Sequence, residues 1–100
     1  MRSRRGRRFW LPQSRFFNTF RMTMRLNIIS PEGTLVDQEV DRVELPGAKG
    51  RFVVLKDHAP IVSSLVEGEI VFGGSEGIVH IKSGFVEVVD NHVIACVELS

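Results

Sequence analysis

The sequence predicts an all-β domain, an antiparallel sandwich or barrel. Three observations predict it. Valine (14) and isoleucine (7) are abundant while alanine is scarce (3), and β-branched side chains pack well on pleated surfaces. Clusters of Gly, Pro, Asn and Asp punctuate the chain at short spacing, as turns between short strands do. No stretch of roughly 11 or more residues carries a helical period.

The elements follow in order. A strand near 25–29 ends at Pro31-Glu32-Gly33. An interrupted strand near 34–45 closes on Asp41-Arg42-Val43-Glu44-Leu45, where Val43 and Leu45 face one way and Arg42 and Glu44 the other. The turn Pro46-Gly47-Ala48-Lys49-Gly50 leads to a strand near 51–55, and Lys56-Asp57-His58-Ala59-Pro60 to one near 61–66. A strand near 69–72 stops at Gly73-Gly74-Ser75. In 77–82, Val79 and Ile81 oppose His80 and Lys82; in 85–89, Val86 and Val88 oppose Phe85, Glu87 and Val89. Asp90-Asn91 turns the chain into a last strand near 92–99. A one-residue slip would turn each apolar face outward, so these alternations set register.

The charge is unevenly placed. Residues 1–21 hold seven arginines and no acid, and the other 79 residues hold six basic and twelve acidic side chains. The head also carries Phe9, Trp10, Phe16, Phe17 and Phe20. Arginines interleaved with aromatics suit single-stranded nucleic acid or an anionic membrane surface, and an acid-free, arginine-rich start also describes a transit peptide. Met22 and Met24 offer later starts directly before strand-like sequence. The expectation is a basic extension over 1–23, outside the fold or non-native, and one β domain over 24–100.

Few residues suggest chemistry. Phosphate-cradling glycine loops, nucleophile elbows and metalloprotease motifs are missing from the 100 residues. The single cysteine, Cys96, excludes an internal disulfide, and its place in Val93-Ile94-Ala95-Cys96-Val97 makes it a small core hydrophobe. His58, His80 and His92, spaced 22 and 12 apart, match no local metal pattern. His58 stands in a Pro-bounded loop, and a loop-organising hydrogen bond is its expected role. Ser63 and Ser64 lack an identifiable base, Glu67 and Glu69 read as solvated surface, and Lys56 lacks the setting of a modified carrier lysine. Such a domain points to an interaction module rather than an enzyme.

Two blocks go further. The first runs Leu45-Pro46-Gly47-Ala48-Lys49-Gly50-Arg51-Phe52-Val53-Val54-Leu55-Lys56-Asp57-His58-Ala59-Pro60-Ile61; the second is Ser83-Gly84-Phe85-Val86-Glu87-Val88, then Asn91-His92-Val93. With Leu26-Asn27-Ile28-Ile29-Ser30-Pro31-Glu32-Gly33, they resemble the epsilon subunit of F-type ATP synthase, called delta in mitochondria, from about Met24 to Leu99. The resemblance implies a flattened antiparallel β-sandwich of about eight to ten short strands. It implies a non-catalytic central-stalk role, bound to the gamma subunit and the c-ring beneath the alpha/beta head. Proton-driven rotation would be coupled to ATP made on other subunits, with no cofactor and no nucleic acid. The c-ring contact would fall at Gly47, Lys49, Gly50, Arg51 and His58. The gamma contact would fall at Ser83, Gly84 and Phe85, with Phe85 either an anchor there or ordinary core. Gly47 and Gly50 would supply unusual φ values, and Pro60 would hold the loop end. Ser83 departs from the family's usual Gly-Gly pair. The sequence given ends at Ser100, so the expectation is a short form without the inhibitory C-terminal helices. Its expected place is the cytoplasmic face of a bacterial inner membrane, or alternatively the mitochondrial inner membrane. Two other readings stand beside it: an unrelated β-sandwich adaptor or carrier, and a nucleic-acid binder working through the head.

Overall fold

The structure is a computed structural model that describes residues 23–73 and 77–100. The readings of the arginine head, and of the turn at Gly74-Ser75, lie outside these residues. Eight strands follow one another: β1 (Met24–Ser30), β2 (Gly33–Val40), β3 (Val43–Gly47), β4 (Gly50–Val54), β5 (Ile61–Leu65), β6 (Gly68–Phe72), β7 (Gly77–Val89) and β8 (His92–Leu99).

Most strands lie where the punctuation puts them. The interrupted 34–45 segment resolves into β2 and β3, parted at Asp41-Arg42. The two strands expected at 77–82 and 85–89 are a single strand of 13 residues, which corrects the reading. Ser83-Gly84 does not break it. The register against β8 shifts between Ile81 and Ser83, so Lys82 is an extra residue; such a bulge bends a strand without ending it.

That bend builds the sandwich. The first part of β7 pairs with β6, from Gly77↔Phe72 to Ile81↔Gly68. The second part pairs with β5, from Gly84↔Leu65 to Val88↔Ile61. One layer therefore runs β2-β1-β8-β7-β5 and the other β7-β6-β3-β4. All pairings are antiparallel except β1 with β8, which is parallel and departs from the purely antiparallel expectation. Leu26, Ile28, Val86, Val88, Val93 and Ala95 from the first layer meet Val43, Leu45, Val54, Ile70 and Ile81 from the second, and all are buried. The alternation read from the sequence at β3 and β7 holds, because each inward residue falls in this core.

Two glycines serve by lacking a side chain. A Cβ on Gly84 would lie 2.4 Å from the Cys96 carbonyl oxygen and 3.0 Å from Val97 Cα, both backbone atoms that cannot yield. Gly47 likewise needs space rather than an unusual φ, since its Cβ would lie 2.7 Å from the Gly50 carbonyl oxygen. Of the two turn glycines only Gly50 has positive φ, at 126°.

A clasp closes the opposite end. Asp90 (φ 52°) and Asn91 (φ 62°) are both left-handed, the signature of a type I′ hairpin turn, which matches the right-handed strand twist. The Asn91 carbonyl accepts from the Arg25 amide at 2.9 Å. Its side-chain oxygen accepts from the Asp57 amide at 2.6 Å, and its amide nitrogen donates to Asp57 Oδ1 at 3.2 Å. Asn91 thus ties β1, the β7–β8 turn and the loop after β4. The Asn91 hydrogen bond, then Lys56, holds the Asp57 carboxyl below its ordinary value.

Gly84→Ala should lower stability by ~1–3 kcal/mol through overpacking, read as a lower urea midpoint at unchanged m-value. Asp57 adds a pH test. Its folded-state pKa is depressed, so its contribution is present above the unfolded value of about 3.9 and lost as pH falls through the folded one. The stability gap between parent and Asp57→Asn should therefore close as pH drops from about 5 to about 2. A gap constant over that range would refute the role given to the carboxylate.

Candidate functional site

The β3–β4 turn projects from the end of the sandwich where β7 bends. It is closed by Gly47 facing Gly50 and held from below by Ala48 N donating to the Ser64 carbonyl and Val66 N to the Pro46 carbonyl, both at 2.9 Å. Lys49, Gly50 and Arg51 are exposed. A cleft of about 550 Å³ opens between this turn and β5, with Lys49, Arg51 and Phe52 on one wall and Ile61, Val62 and Ser63 on the other. Arg51 reaches Glu44 at 3.4 Å, and Arg42 also pairs with Glu44.

His58 is not with them. It follows β4, whose far end, Val54, pairs with Val43 while Gly50 pairs with Gly47. The loop of His58 is clasped to the β7–β8 turn through Asp57 and Asn91. Four of the five residues read as one contact share an end of the domain, and His58 lies at the other. Its amide donates to the Leu55 carbonyl at 3.1 Å. Its Nδ1 lies 2.8 Å from the Ala59 carbonyl, so that nitrogen carries the proton. These are loop-organising bonds, the role expected of it.

The outer face of the first layer gathers the second predicted group. Register places neighbours in rows across the strands. Thr34, Ile29, Cys96, Phe85 and Ser64 form one row; Asp37, Asn27, Ile94, Glu87 and Val62 the next; Glu39, Arg25, His92 and Val89 the third. Phe85 is 53% exposed, which removes its reading as core. Val62 is 73% exposed, and Ile29 and Val89 are also open. Cys96 is only half-buried, correcting its assignment to the core. It points outward between inward Ala95 and Val97. With Ile29, Pro31, Ser83, Gly84 and Phe85 it lines a shallow pocket of about 380 Å³. Ser83 donates to Glu98 at 3.3 Å at its rim.

A polar network fills the other side of this face. Arg25 Nε and Asn27 Nδ2 donate to one Asp37 oxygen at 2.8 and 2.9 Å. The Asn27 carbonyl oxygen accepts from His92 Nε2, which fixes that nitrogen as the protonated one. The Arg25 hydrogen bond, then that of Asn27, holds the Asp37 carboxyl below its usual range. The same pairing raises the Arg25 guanidinium.

The remaining candidates disperse. His80 lies 3.6 Å from Glu69 on the second layer, away from His92 on the first and His58 in its loop. Ser63 donates to the Ser64 carbonyl rather than to a base, and Lys56 pairs with Asp57 at 3.1 Å. Sequence reasoning missed Ile29, Val62, Ile94 and Cys96 as surface residues. For Ile94 and Cys96 the signal was the period of two in β8, hidden because both faces of the run are apolar.

Comparison with known proteins gives a consistent picture. Residues 23–98 match the family described as ATP synthase, Delta/Epsilon chain, beta-sandwich domain. An ATP synthase epsilon chain from Sulfurovum sp. (strain NBC37-1) is 44% identical over 77 residues, 74% of this chain and 59% of that one. One from Desulfitobacterium hafniense (strain DSM 10664 / DCB-2) is 40% identical over 73 residues, 71% and 55% respectively. The chain thus spans less than two thirds of the length of these relatives. Among solved structures, one of Euglena gracilis mitochondrial ATP synthase (OSCP/F1/c-ring) matches with TM-score 0.70 and 19% identity, over 92% of this chain and 68% of that one. The central stalk/c-ring of Tetrahymena thermophila mitochondrial ATP synthase matches with TM-score 0.65 and 15% identity, over 75% and 63%. At these identities the structures share the fold.

Proposed function

Because this chain belongs to the delta/epsilon family of ATP synthase β-sandwich domains, we propose that it is a non-catalytic subunit of the central stalk. It binds the gamma subunit and the c-ring beneath the alpha/beta head and helps couple ion-driven rotation to ATP synthesis on other subunits. Its place is peripheral, at the membrane that carries the complex. The reading rests first on the family match across residues 23–98.

The two surfaces divide the work. The row of exposed Ile29, half-buried Cys96 and exposed Phe85, with Ile94 and Val62 beside it, joins apolar side chains of neighbouring strands into one surface. Contiguous exposed apolar area of this kind marks a protein interface. It suits gamma, with Phe85 the aromatic anchor. The β3–β4 turn suits the c-ring: Lys49 and Arg51 are exposed cations on a backbone held rigid by two cross-strand hydrogen bonds. His58, at the far end, drops out of the c-ring contact.

Affinity capture from native membranes with the tagged full chain tests the reading. Gamma should be recovered together with the alpha and beta subunits. Phe85→Ala should weaken gamma binding by ~2 kcal/mol, roughly thirtyfold. Its unfolding midpoint should stay near that of the parent, since the ring is exposed. Lys49→Glu with Arg51→Glu should lose the c-ring while keeping gamma. Capture of neither gamma nor the catalytic subunits would overturn the proposal.

A further inference from the structure

A strand edge lies open beside the cleft between β5 and the β3–β4 turn. β5 pairs with β7 along its whole length, from Ile61↔Val88 to Leu65↔Gly84. On its other side it pairs with β3 at Leu65↔Gly47 alone. There the Ser64 carbonyl accepts from the Ala48 amide, and the Val66 amide donates to the Pro46 carbonyl. Backbone groups alternate in direction along a strand. The N–H and C=O of Val62 and the N–H of Ser64 therefore also point away from β7. They have no backbone partner among the described residues. A row of unpaired backbone groups is a template for one more strand. At the outer edge of the same layer β2 is guarded: Leu35 is an extra residue where the register with β1 shifts, and such a bulge turns an edge away from further pairing. β5 runs against β7 in unbroken register.

The cleft of about 550 Å³ supplies the rest of a binding site. Half-buried Phe52 and Ile61 give it an apolar lining, and exposed Lys49 and Arg51 stand at the turn. Arg51 reaches Glu44 at 3.4 Å, but Glu44 does not line the cleft, and no other carboxylate does. Lys49 has no ion pair among the described residues. We propose that the free edge of β5 takes an acidic, extended segment of a partner protein as an added strand. Val62 and Ser64 give the main-chain hydrogen bonds. Apolar side chains of the segment lie against Phe52 and Ile61, and its carboxylates meet Lys49 and Arg51. Strand addition draws affinity from the main chain and specificity from the alternate side chains. Charge selects the occupant. A basic segment would be repelled by the two cations, and β5 of a second copy, Ile61-Val62-Ser63-Ser64-Leu65, has no acid to offer them. The inference goes beyond the stalk reading and does not rest on it.

Fluorescence anisotropy with the full chain tests it. The probe is a labelled, end-blocked peptide alternating valine and glutamate, about six residues long like an ordinary strand. It should bind, and a peptide alternating valine and lysine should bind at least about tenfold more weakly. Val62→Pro removes one edge donor without touching the β7 ladder. It should weaken binding about tenfold, the order of one lost hydrogen bond. Its unfolding midpoint should stay near that of the parent, since Val62 is 73% exposed. Should that variant fold poorly, hydrogen exchange of the parent gives a second test: the peptide should slow the amides of Val62 and Ser64. No binding, equal binding of the two peptides, or unchanged exchange at those amides would overturn the proposal. Protection of the same amides that grows with protein concentration, peptide absent, would also overturn it, because a second copy would then hold the edge. The assay contains neither gamma nor the c-ring, so its failure is distinct from failure of the stalk reading.

Discussion

Everything in this fold hangs on one strand serving two layers. β7 pairs with β6 through its first part and with β5 through its second, while β8 runs along it from Ile81 to Val89. A flat strand could not do both. The extra residue at Lys82 supplies the bend, and Gly84, two residues on, lets β8 approach with no room for a Cβ against the Cys96 carbonyl. Inward residues on both sides of the bend, Ile81 and Val86, are fully buried. The bend thus decides which side chains form the core, and by alternation which face outward.

The same bend separates the two ends of the domain. Close to it lie the β3–β4 turn and the Ser83-Gly84-Phe85 stretch, linked through Ser64, which accepts from Ala48 and pairs in register with Phe85. Far from it, Asn91 gathers β1, the β7–β8 turn and the loop holding Asp57 and His58. Residues adjacent in the family-like block 45–61 are therefore divided by the length of β4. The family resemblance implied a single contact, but β4 is extended and carries His58 away from Lys49. The clasp explains a His-Ala-Pro loop in terms of anchoring: its backbone is bonded at Asp57 and His58 before the chain crosses to β5.

Much of the fold was legible because strand alternation is a local property. Val43 and Leu45 inward, Val86 and Val88 inward, and the Asp90-Asn91 turn all follow from short-range rules. What local rules could not reveal was long-range pairing. The parallel union of β1 with β8 joins the first strand to the last, and no pattern within either strand encodes it. Nor could they reveal that Ser83-Gly84 continues a strand, because a glycine signals a break unless one knows that another backbone lies 2.4 Å from its missing Cβ.

Cys96 and Phe85 are the instructive residues. Cys96 sits in an apolar run, where burial is the default inference, and Phe85 stands opposite Val86 and Val88, where anchor and core both stayed open; each points outward. A strand covered on both faces and a strand with one unpartnered apolar face read identically in sequence. The difference emerges only once register places Ile29, Cys96 and Phe85 side by side. Scattered singly, such residues need no explanation; aligned across three strands they form a surface that water covers at a cost and a partner covers at a gain.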